Sequence, residues 1–390
     1  MPSYRYKLLS SGDDDGELTT KPTTRRKNVL FALVAAAAAL YAMFTAVRFV
    51  VRTSRLPCNS RMGMHRNLSS LPEHFTLASG DKIPSVALGV WQAGRNEVGN
   101  AVKVALKAGY RHIDDAWVYY NEEEVGQALK DSGVPRSEVW LTSKLWNTFH
   151  APEDVEPALD ESLSKLGTDY LDLYLVHWPI AFKKGTNQFD PELTANPYPT
   201  WQKLEEMVEK GKVRNIGVSN FNIPRLENLT ANPLKIKPAV NQVELNFWNP
   251  QPDLLEWSRE NGIPLEAYSP LGGTGYVQKS LDVPEVKAIA SELGITPAQV
   301  LISWHVQRGT IVLPKSVTPS RIEENLHVVA LPDDLFETLE TAATSHPPHR
   351  VGNPSKGWGI PFDIFDDYPY DDVEAAGERE GAENWGKGVV

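Results

Sequence analysis

The chain has 390 residues, of which 41% are hydrophobic and 23% charged, an ordinary composition for a globular protein. Its net charge of −11 comes with no basic stripe, which argues against a nucleic-acid partner. The single cysteine, Cys58, excludes an intrachain disulfide framework and a thiolate metal site.

The first element in chain order is an apolar segment that follows a polar tail over residues 1–27. Residues 28–47 are a run of 20 uncharged residues, with Arg25, Arg26 and Lys27 before it. As a helix this run would be about 30 Å long, the thickness of a bilayer's hydrocarbon core. We therefore expect a single-pass transmembrane helix over 28–51 and a linker over 52–72. A cleaved signal peptide and a buried helix are the alternatives, and the flanking charges do not decide the orientation in the membrane.

Apolar strand-like runs alternate with helical patterns over residues 73–362, after a short hairpin around Gly80 and Asp81. This alternation predicts parallel strands joined by right-handed crossovers, and eight strands in about 230 residues fit a closed (β/α)8 TIM barrel. A doubly wound sheet would carry Gly-x-Gly-x-x-Gly after its first strand, which is not found here. The predicted strands are 86–90, 112–114, 139–143, 171–176, 213–218, 239–242, 265–268 and 311–313. The predicted helices are 97–108, 122–130, 155–166, 201–209, 225–229, 254–260, 286–293, 297–307 and 321–326.

Polar or aromatic residues stand at the carboxyl ends of all eight predicted strands, where barrels of this kind place their active sites. In chain order they are Trp91, Asp114, Tyr119, Lys144, His177, Ser219, Asn220, Gln242, Tyr268, Lys315 and Ser316. Each alone has an ordinary structural explanation, such as a helix cap, a solvated lysine or a core histidine. Their convergence on one rim predicts an active site.

The aspartate, tyrosine, lysine and histidine of this rim suit the reduction of a carbonyl group by hydride. A proton donor must lie beside the developing alkoxide, and the Tyr119 phenol can serve if the ammonium of Lys144 lowers its pKa. Asp114 would keep Lys144 charged and oriented, and His177 would donate a hydrogen bond to the carbonyl oxygen. No side chain supplies a hydride, so the reaction requires a nicotinamide cofactor.

Several ordered motifs between residues 75 and 365 are similar to those of the aldo-keto reductase family. They lie at 109–116, 119–126, 141–146, 169–179, 216–221, 241–244, 267–270 and 313–316. The resemblance implies an NADPH-dependent reductase of aldehydes or ketones, similar to fungal glyceraldehyde and xylose reductases. Its implied catalytic residues are Asp114, Tyr119, Lys144 and His177.

The same resemblance implies the residues that bind NADP(H). The residues implied at the nicotinamide are Ser219, Asn220 and Gln242, which would hold the carboxamide, and Tyr268, which would stack on the ring. The residues implied at the 2′-phosphate and the adenosine are Lys315, Ser316, Arg321, Glu324 and Asn325. A 2′-phosphate dianion indeed calls for a lysine, a hydroxyl group and the planar fork of an arginine.

An aromatic substrate pocket is also implied, with Trp91, Trp146, Trp178 and His177 as its residues. Such a pocket suits aldehydes with apolar or modestly polar bodies, including short ones such as glyceraldehyde. Val118 stands where similar pentose reductases have an aspartate, which disfavours a specific xylose reductase. Asp115 and Asn246 are two further departures from the family pattern.

Two other classes of function stay open. A cofactor-binding regulatory subunit of a membrane complex, as similar barrels serve for potassium channels, would fit the predicted membrane helix but would not need all four catalytic groups. A metal-dependent hydrolase is less consistent with the sequence, because the rim has one histidine and no carboxylate-rich ligand cluster, so we expect no metal.

The supply of NADPH favours the cytosolic side of the membrane for the barrel. Residues 363–390 hold nine acidic and two basic residues, and we expect this acidic tail to be disordered.

Overall fold

The computed structural model describes residues 71–365, in which an eight-stranded parallel sheet closes into a barrel. The strands in chain order are β1 (His74–Thr76), β2 (Lys82–Pro84), β3 (Leu88–Gly89), β4 (His112–Asp114), β5 (Trp140–Leu145), β6 (Leu171–Val176), β7 (Ala181–Phe182), β8 (Phe189–Asp190), β9 (Val213–Ser219), β10 (Asn241–Glu244), β11 (Leu265–Tyr268) and β12 (Ile311–Leu313). The sheet runs in the order β12-β11-β10-β9-β6-β5-β4-β3. Parallel bridges from Val86 to Val312 and from Gly89 to Lys315 join its two edges, so the predicted (β/α)8 barrel is confirmed.

Helices surround this barrel, and the longer ones each bury one apolar face. The helices are Val98–Ala108, Glu122–Ser132, Pro152–Leu166, Pro191–Ala195, Tyr198–Glu209, Ile223–Thr230, Pro252–Asn261, Val277–Leu281, Pro284–Leu293, Pro297–Gln307, Pro319–Leu326 and Asp333–Thr344. In the first of them the buried residues are Val98, Ala101, Val102, Ala105 and Leu106. This spacing places all five on one side of a helix, against the sheet.

Several helices begin earlier than the sequence predicted, and proline explains the difference. Pro152, Pro252, Pro284 and Pro319 each occupy the first helical residue. The N–H group of the first helical residue has no partner within the helix, so proline loses no hydrogen bond there. The fixed φ of proline also suits the helical turn. A proline that was excluded from the predicted helix therefore belongs to it.

Three kinds of element lie outside the predicted pattern. The two-residue strands β7 and β8 pair in an antiparallel hairpin after β6. The short helices Pro191–Ala195 and Val277–Leu281 lie in loops. Helix Asp333–Thr344 buries Leu339 and Ala343 in the same cluster as Val286, Ile289 and Trp304, so it extends the outer layer of the barrel.

The predicted membrane localisation is corrected here. None of the helices among residues 71–365 has both the length and the apolar composition needed to cross a membrane. The predicted tail 1–27, the predicted span 28–51 and nearly all of the predicted linker 52–72 lie outside the described residues. A membrane partner and a membrane-facing orientation therefore have no support in the described part of the chain.

The boundary between the barrel and the acidic tail also differs from the prediction of 362. Asp363, Ile364 and Phe365 are all buried, and the Phe365 ring lies 6.0 Å from that of Trp178. Asn222 Nδ2 donates to the Phe365 carbonyl at 3.0 Å. These residues therefore belong to the packed domain, and the rest of the expected tail lies outside the described residues.

Candidate active site

Three neighbouring barrel strands bring the four predicted catalytic residues to one rim. Asp114 ends β4, Lys144 is near the end of β5, His177 follows β6, and Tyr119 ends the short turn of 3₁₀ helix after β4. Parallel pairing places Asp114 beside Thr142 and Lys144 beside Leu175, so these strand ends are neighbours. The side chain of Lys144 is completely buried, as expected only for a charge that has partners.

Lys144 has those partners, and they account for its burial. Its Nζ lies 2.8 Å from Asp114 Oδ2, 3.0 Å from Asp114 Oδ1 and 2.8 Å from the carbonyl oxygen of Asp115. The same Nζ lies 3.3 Å from the hydroxyl oxygen of Tyr119. A continuous hydrogen-bonded chain therefore runs from Asp114 through Lys144 to Tyr119.

The protonation of this chain follows from burial and from the charge pair. Burial lowers the pKa of Lys144, but the charges of Asp114 and Tyr119 outweigh it, so the pKa lies above its usual range. Burial raises the pKa of Tyr119 to about 12, and the lowering effect of Lys144 is smaller. Lys144 thus lowers the pKa of Tyr119 as expected from the sequence, but burial outweighs this effect. Tyr119 is a fully protonated phenol at neutral pH.

His177 is the fourth predicted catalytic residue, and it lies on the rim as a neutral imidazole. Burial, followed by the charge of Lys144, lowers the pKa of His177 well below its usual value. Its ring lies 5.8 Å from that of Tyr119, edge to face, and 5.3 Å from that of Trp146. Its buried Nδ1 has no hydrogen-bond partner within residues 71–365. A neutral imidazole keeps one N–H group and can donate it to a carbonyl oxygen.

The four residues assigned to the nicotinamide also lie together. Ser219 Oγ donates to the Gln242 carbonyl at 2.9 Å, and the Tyr268 hydroxyl donates to Asn220 Oδ1 at 2.8 Å. Asn220 Nδ2 donates to the His177 carbonyl at 2.9 Å. Asn220 has a φ of 65°, in the left-handed region that asparagine tolerates better than most residues. These bonds connect the ends of β6, β9, β10 and β11 in one polar layer.

The residues assigned to the 2′-phosphate form an exposed cationic edge. Lys315 and Arg321 are both exposed, and neither forms an ion pair among the described side chains. Lys315 Nζ reaches only the Gln92 carbonyl, at 3.4 Å. The two cations flank the first turn of helix Pro319–Leu326, whose free N–H groups favour an anion. This edge can therefore accept a phosphate without first breaking a salt bridge.

Glu324 and Asn325 follow on the same helix, and they differ in burial and in hydrogen bonding. Glu324 Oε1 accepts from Thr296 Oγ1 at 2.6 Å, so one oxygen of this carboxylate already has a structural partner. Asn325 is buried. The adenosine contacts inferred for both residues stay predictions.

An aromatic cluster lies beside His177, and it includes a residue that the sequence analysis missed. Trp358 lies 5.7 Å from Trp146, 5.1 Å from Trp178 and 5.6 Å from Phe182, in each case edge to face. Trp178 is only 1% exposed, and Trp358 is one of the rings packed against it. Trp91 is half-buried, two residues after the end of β3. A tryptophan in the irregular segment after the last helix was a signal that could have identified Trp358.

Two buried acidic residues lie near Lys144, and the sequence analysis singled out only Asp115 of the two. Glu266 of β11 is fully buried, and its Oε2 accepts from Gln242 Nε2 at 2.9 Å. Burial, followed by the charge of Asp114, raises the pKa of Glu266 to about 8. Burial, followed by the charge of Glu122, raises the pKa of Asp115 well above its usual value. The contact of Asp115 with Lys144 is made by its backbone carbonyl oxygen, at 2.8 Å from Nζ, and not by its carboxyl group.

The other noted departure, Asn246, has a structural role. Its Oδ1 accepts from the backbone N–H groups of Trp248 and Asn249 at 2.9 Å and 3.0 Å. Its Nδ2 contacts Glu244 Oε1 at 3.3 Å. These bonds form the turn after β10.

Residues 71–365 contain no group of three or more His, Cys, Asp or Glu side chains that could hold a metal ion.

Comparison with known proteins agrees with this geometry. The aldo/keto reductase family model matches residues 85–343. The chain is 42% identical over 307 residues to glycerol 2-dehydrogenase (NADP(+)) of Saccharomyces cerevisiae, covering 75% of this chain and 96% of that protein. It is 42% identical over 319 residues to aldehyde reductase YPR1 of the same yeast, covering 77% of this chain and 100% of that protein.

Solved structures give the same result. The aldose reductase of Schistosoma japonicum superposes with a TM-score of 0.69 at 37% identity, covering 77% of this chain and 99% of that one. An aldo/keto reductase from Brucella melitensis superposes with a TM-score of 0.62 at 40% identity, covering 70% and 100%. The family model spans most of the barrel, and these identities exceed what a shared fold alone requires. The chain therefore belongs to the aldo/keto reductase family and is an oxidoreductase that interconverts carbonyl compounds and alcohols with a nicotinamide cofactor.

Proposed function

We propose that this protein reduces an aldehyde or a ketone to the alcohol with NADPH, and that Tyr119 is the general acid. The observation that carries the proposal is the chain Asp114–Lys144–Tyr119, with Nζ 3.3 Å from the phenol oxygen and His177 on the same rim. A phenol fixed beside an ammonium is what proton delivery to an alkoxide requires.

The proposed mechanism divides the work among the four groups. The nicotinamide, when bound, supplies the hydride to the carbonyl carbon. The neutral imidazole of His177 donates a hydrogen bond to the carbonyl oxygen as negative charge develops there. Tyr119 then gives its proton to that oxygen, and Lys144 stabilises the phenolate that remains. Solvent returns a proton to Tyr119 before the next cycle.

The 2′-phosphate of NADPH is assigned to Lys315, Ser316 and Arg321. The two cations are exposed, unpaired with any carboxylate in residues 71–365, and placed at a helix N-terminus. Hydrogen bonds from charged groups to a phosphate are worth more than those between neutral groups. Two named relatives also carry NADP(+) or aldehyde reduction in their names, which supports the same cofactor and reaction.

The substrate is assigned to the class of aldehydes with apolar or modestly polar bodies. Trp146 and Trp178 offer apolar rings beside His177, and Trp358 packs edge to face against both of them. Such a pocket binds carbon surface by burial and orients the carbonyl through few polar groups. Short hydroxylated aldehydes such as glyceraldehyde belong to this class. Val118 offers no carboxylate for the hydroxyl groups of a pentose.

A regulatory, non-catalytic role is the less favoured alternative. It would not require Tyr119, Lys144 and His177 together, yet all three meet at one rim. The two yeast relatives bear names of enzymes.

The test is to incubate the purified full-length protein with NADPH and a panel of aldehydes. We expect NADPH to be consumed in step with alcohol formation, and much more slowly with NADH. Tight binding of NADPH with no turnover across the panel would favour the regulatory role instead.

A further inference from the structure

Glu266 has a feature that the catalytic groups do not explain. Its carboxyl group is fully buried in β11 and forms no ion pair with any cation of residues 71–365. Its Oε1 has no hydrogen-bond partner in the same part of the chain, and its Oε2 accepts from Gln242 Nε2 at 2.9 Å. Burying a carboxyl group without a cation is unfavourable, and an apolar side chain of this size would fill the same space.

Glu266 contacts the side chain of Gln242, whose amide nitrogen donates to both Glu266 and Asp114. Gln242 Nε2 lies 2.8 Å from Asp114 Oδ1 and 2.9 Å from Glu266 Oε2. A primary amide has two hydrogens, so each one meets one carboxyl oxygen. If the amide were flipped, its carbonyl oxygen would face the Asp114 carboxylate with no hydrogen between them. Two acceptors therefore fix which end of this amide faces inward.

The opposite end of the same amide is then presented to the rim. Gln242 Oε1 makes no hydrogen bond among residues 71–365, whereas the Gln242 backbone carbonyl accepts from Ser219 Oγ and from the Asn220 N–H. Gln242 pairs with Ser219 across the sheet, so its side chain belongs to the polar layer assigned to the nicotinamide. The free oxygen can receive a hydrogen bond from the NH2 group of a carboxamide.

We propose that Glu266 is a positioning residue for the cofactor, which orients the Gln242 amide so that its oxygen faces the carboxamide of the nicotinamide ring. The inference rests on the proposed function, because it takes a nicotinamide cofactor as the ligand of this layer. Glu266 itself touches neither the cofactor nor the substrate. It acts through Gln242, and the burial that raises its pKa to about 8 leaves the carbonyl oxygen of the neutral acid able to accept the same bond.

The proposal is tested by comparing two ligands of the full-length protein that differ by the nicotinamide ring. One ligand is NADPH, and the other is 2′-phospho-ADP-ribose, which keeps the adenosine, the phosphates and the ribose. In Glu266→Met the second acceptor is lost, and we expect NADPH to bind about five- to tenfold more weakly, as for one lost hydrogen bond. The affinity for 2′-phospho-ADP-ribose should stay within about twofold of wild type, since that ligand makes no use of Gln242.

Glu266→Gln is the conservative variant, because its amide oxygen can still accept from Gln242 Nε2. It should restore most of the NADPH affinity that Glu266→Met loses. Glu256→Met is the matched control, a change at an exposed glutamate of helix Pro252–Asn261 that should alter neither affinity. Unchanged NADPH affinity in Glu266→Met, or equal losses for both ligands, would overturn the proposal.

A double-mutant cycle with Gln242→Leu keeps the test decisive if one variant folds poorly. When Gln242 is absent, removing Glu266 should weaken NADPH binding no further, so the two effects should not add. Additive effects would show that Glu266 does not act through Gln242. These measurements use binding alone. If the wild-type protein bound NADPH but reduced no aldehyde, the proposed function would be contradicted, and the cycle would still decide the role of Glu266. If the wild-type protein bound no NADPH, both the proposed function and the role of Glu266 would be contradicted.

Discussion

Lys144 Nζ lies 3.3 Å from the hydroxyl oxygen of Tyr119 and 2.8 Å from Asp114 Oδ2, so one buried ammonium links the carboxylate to the phenol. The ammonium is fixed on both sides, and its position relative to Tyr119 is set by the strand pairing of β4 with β5. In the proposed mechanism this arrangement connects stability and catalysis, because the ammonium whose burial the ion pair permits would also stabilise a phenolate at Tyr119.

Lys144→Met should therefore lower both turnover and stability. We expect turnover with NADPH and an aldehyde to fall more than about a hundredfold, since the phenolate loses its stabilising charge. The free energy of unfolding should fall by about 3–5 kcal/mol, because Asp114 is left buried without a counterion. Lys130→Met, at an exposed lysine of helix Glu122–Ser132, is the control for kinetics and urea unfolding. A Lys144→Met protein with wild-type stability would mean that the ion pair contributes nothing.

Arg321→Met and Lys315→Met should each change the preference between the two cofactors. Each should weaken NADPH binding by about 1.5–3 kcal/mol, the range for a hydrogen bond to a charged group, and leave NADH nearly unaffected. Fluorescence titration with both cofactors measures this. Lys107→Met, an exposed lysine in the last turn of helix Val98–Ala108, should affect neither. Equal losses for NADPH and NADH would assign the two cations a structural role.

Trp358→Ala should impair the reduction of large aldehydes more than that of short ones. An aromatic aldehyde should lose about tenfold or more in kcat/KM, because a buried aromatic contact is worth roughly 1.5–3 kcal/mol. Glyceraldehyde should lose less, and the affinity for NADPH should not change. Trp257→Ala removes a tryptophan from an outer helix and serves as the control. If all aldehydes were affected alike, Trp358 would not line the substrate pocket.

Glu266→Gln should change how stability depends on pH. The pKa of Glu266 is raised from 4.5 to about 8, so between these values the folded protein holds a proton that the unfolded chain has released. As the pH rises through this window, the wild-type free energy of unfolding should therefore fall relative to that of the variant. The fall should be up to about 1.4 kcal/mol for each pH unit. Urea unfolding at several pH values measures the difference, with Glu256→Gln as an exposed control. Parallel curves for wild type and Glu266→Gln would contradict the buried, protonated state.

The barrel was predictable from the sequence because its signals are local. Strands such as Leu171–Val176 and Ile311–Leu313 agree with the predicted ranges, since an uninterrupted apolar run is typical of a strand buried on both faces. The rim residues were predictable for a related reason, because each polar residue directly follows or ends such a run. The fold could therefore be predicted from short stretches of the sequence.

Other features depend on contacts between distant segments and could not be predicted in this way. Trp358 meets Trp178 across 180 residues of sequence, and no local pattern indicates that pairing. The raised pKa of Tyr119 is set mainly by burial, which the sequence does not give residue by residue. The bond from Gln242 to Glu266 was missed because a glutamate in an apolar strand gives no indication of which neighbour it contacts.

The most direct test of the account is the kinetics of Tyr119→Phe with NADPH and a reactive aldehyde. The variant should bind NADPH within about twofold of wild type, because the phenol is assigned to the substrate, yet turnover should fall more than about a hundredfold. Tyr120→Phe is the matched control, since the neighbouring tyrosine is 57% exposed and should lose nothing. Near-wild-type turnover by Tyr119→Phe would contradict the assignment of Tyr119 as the general acid.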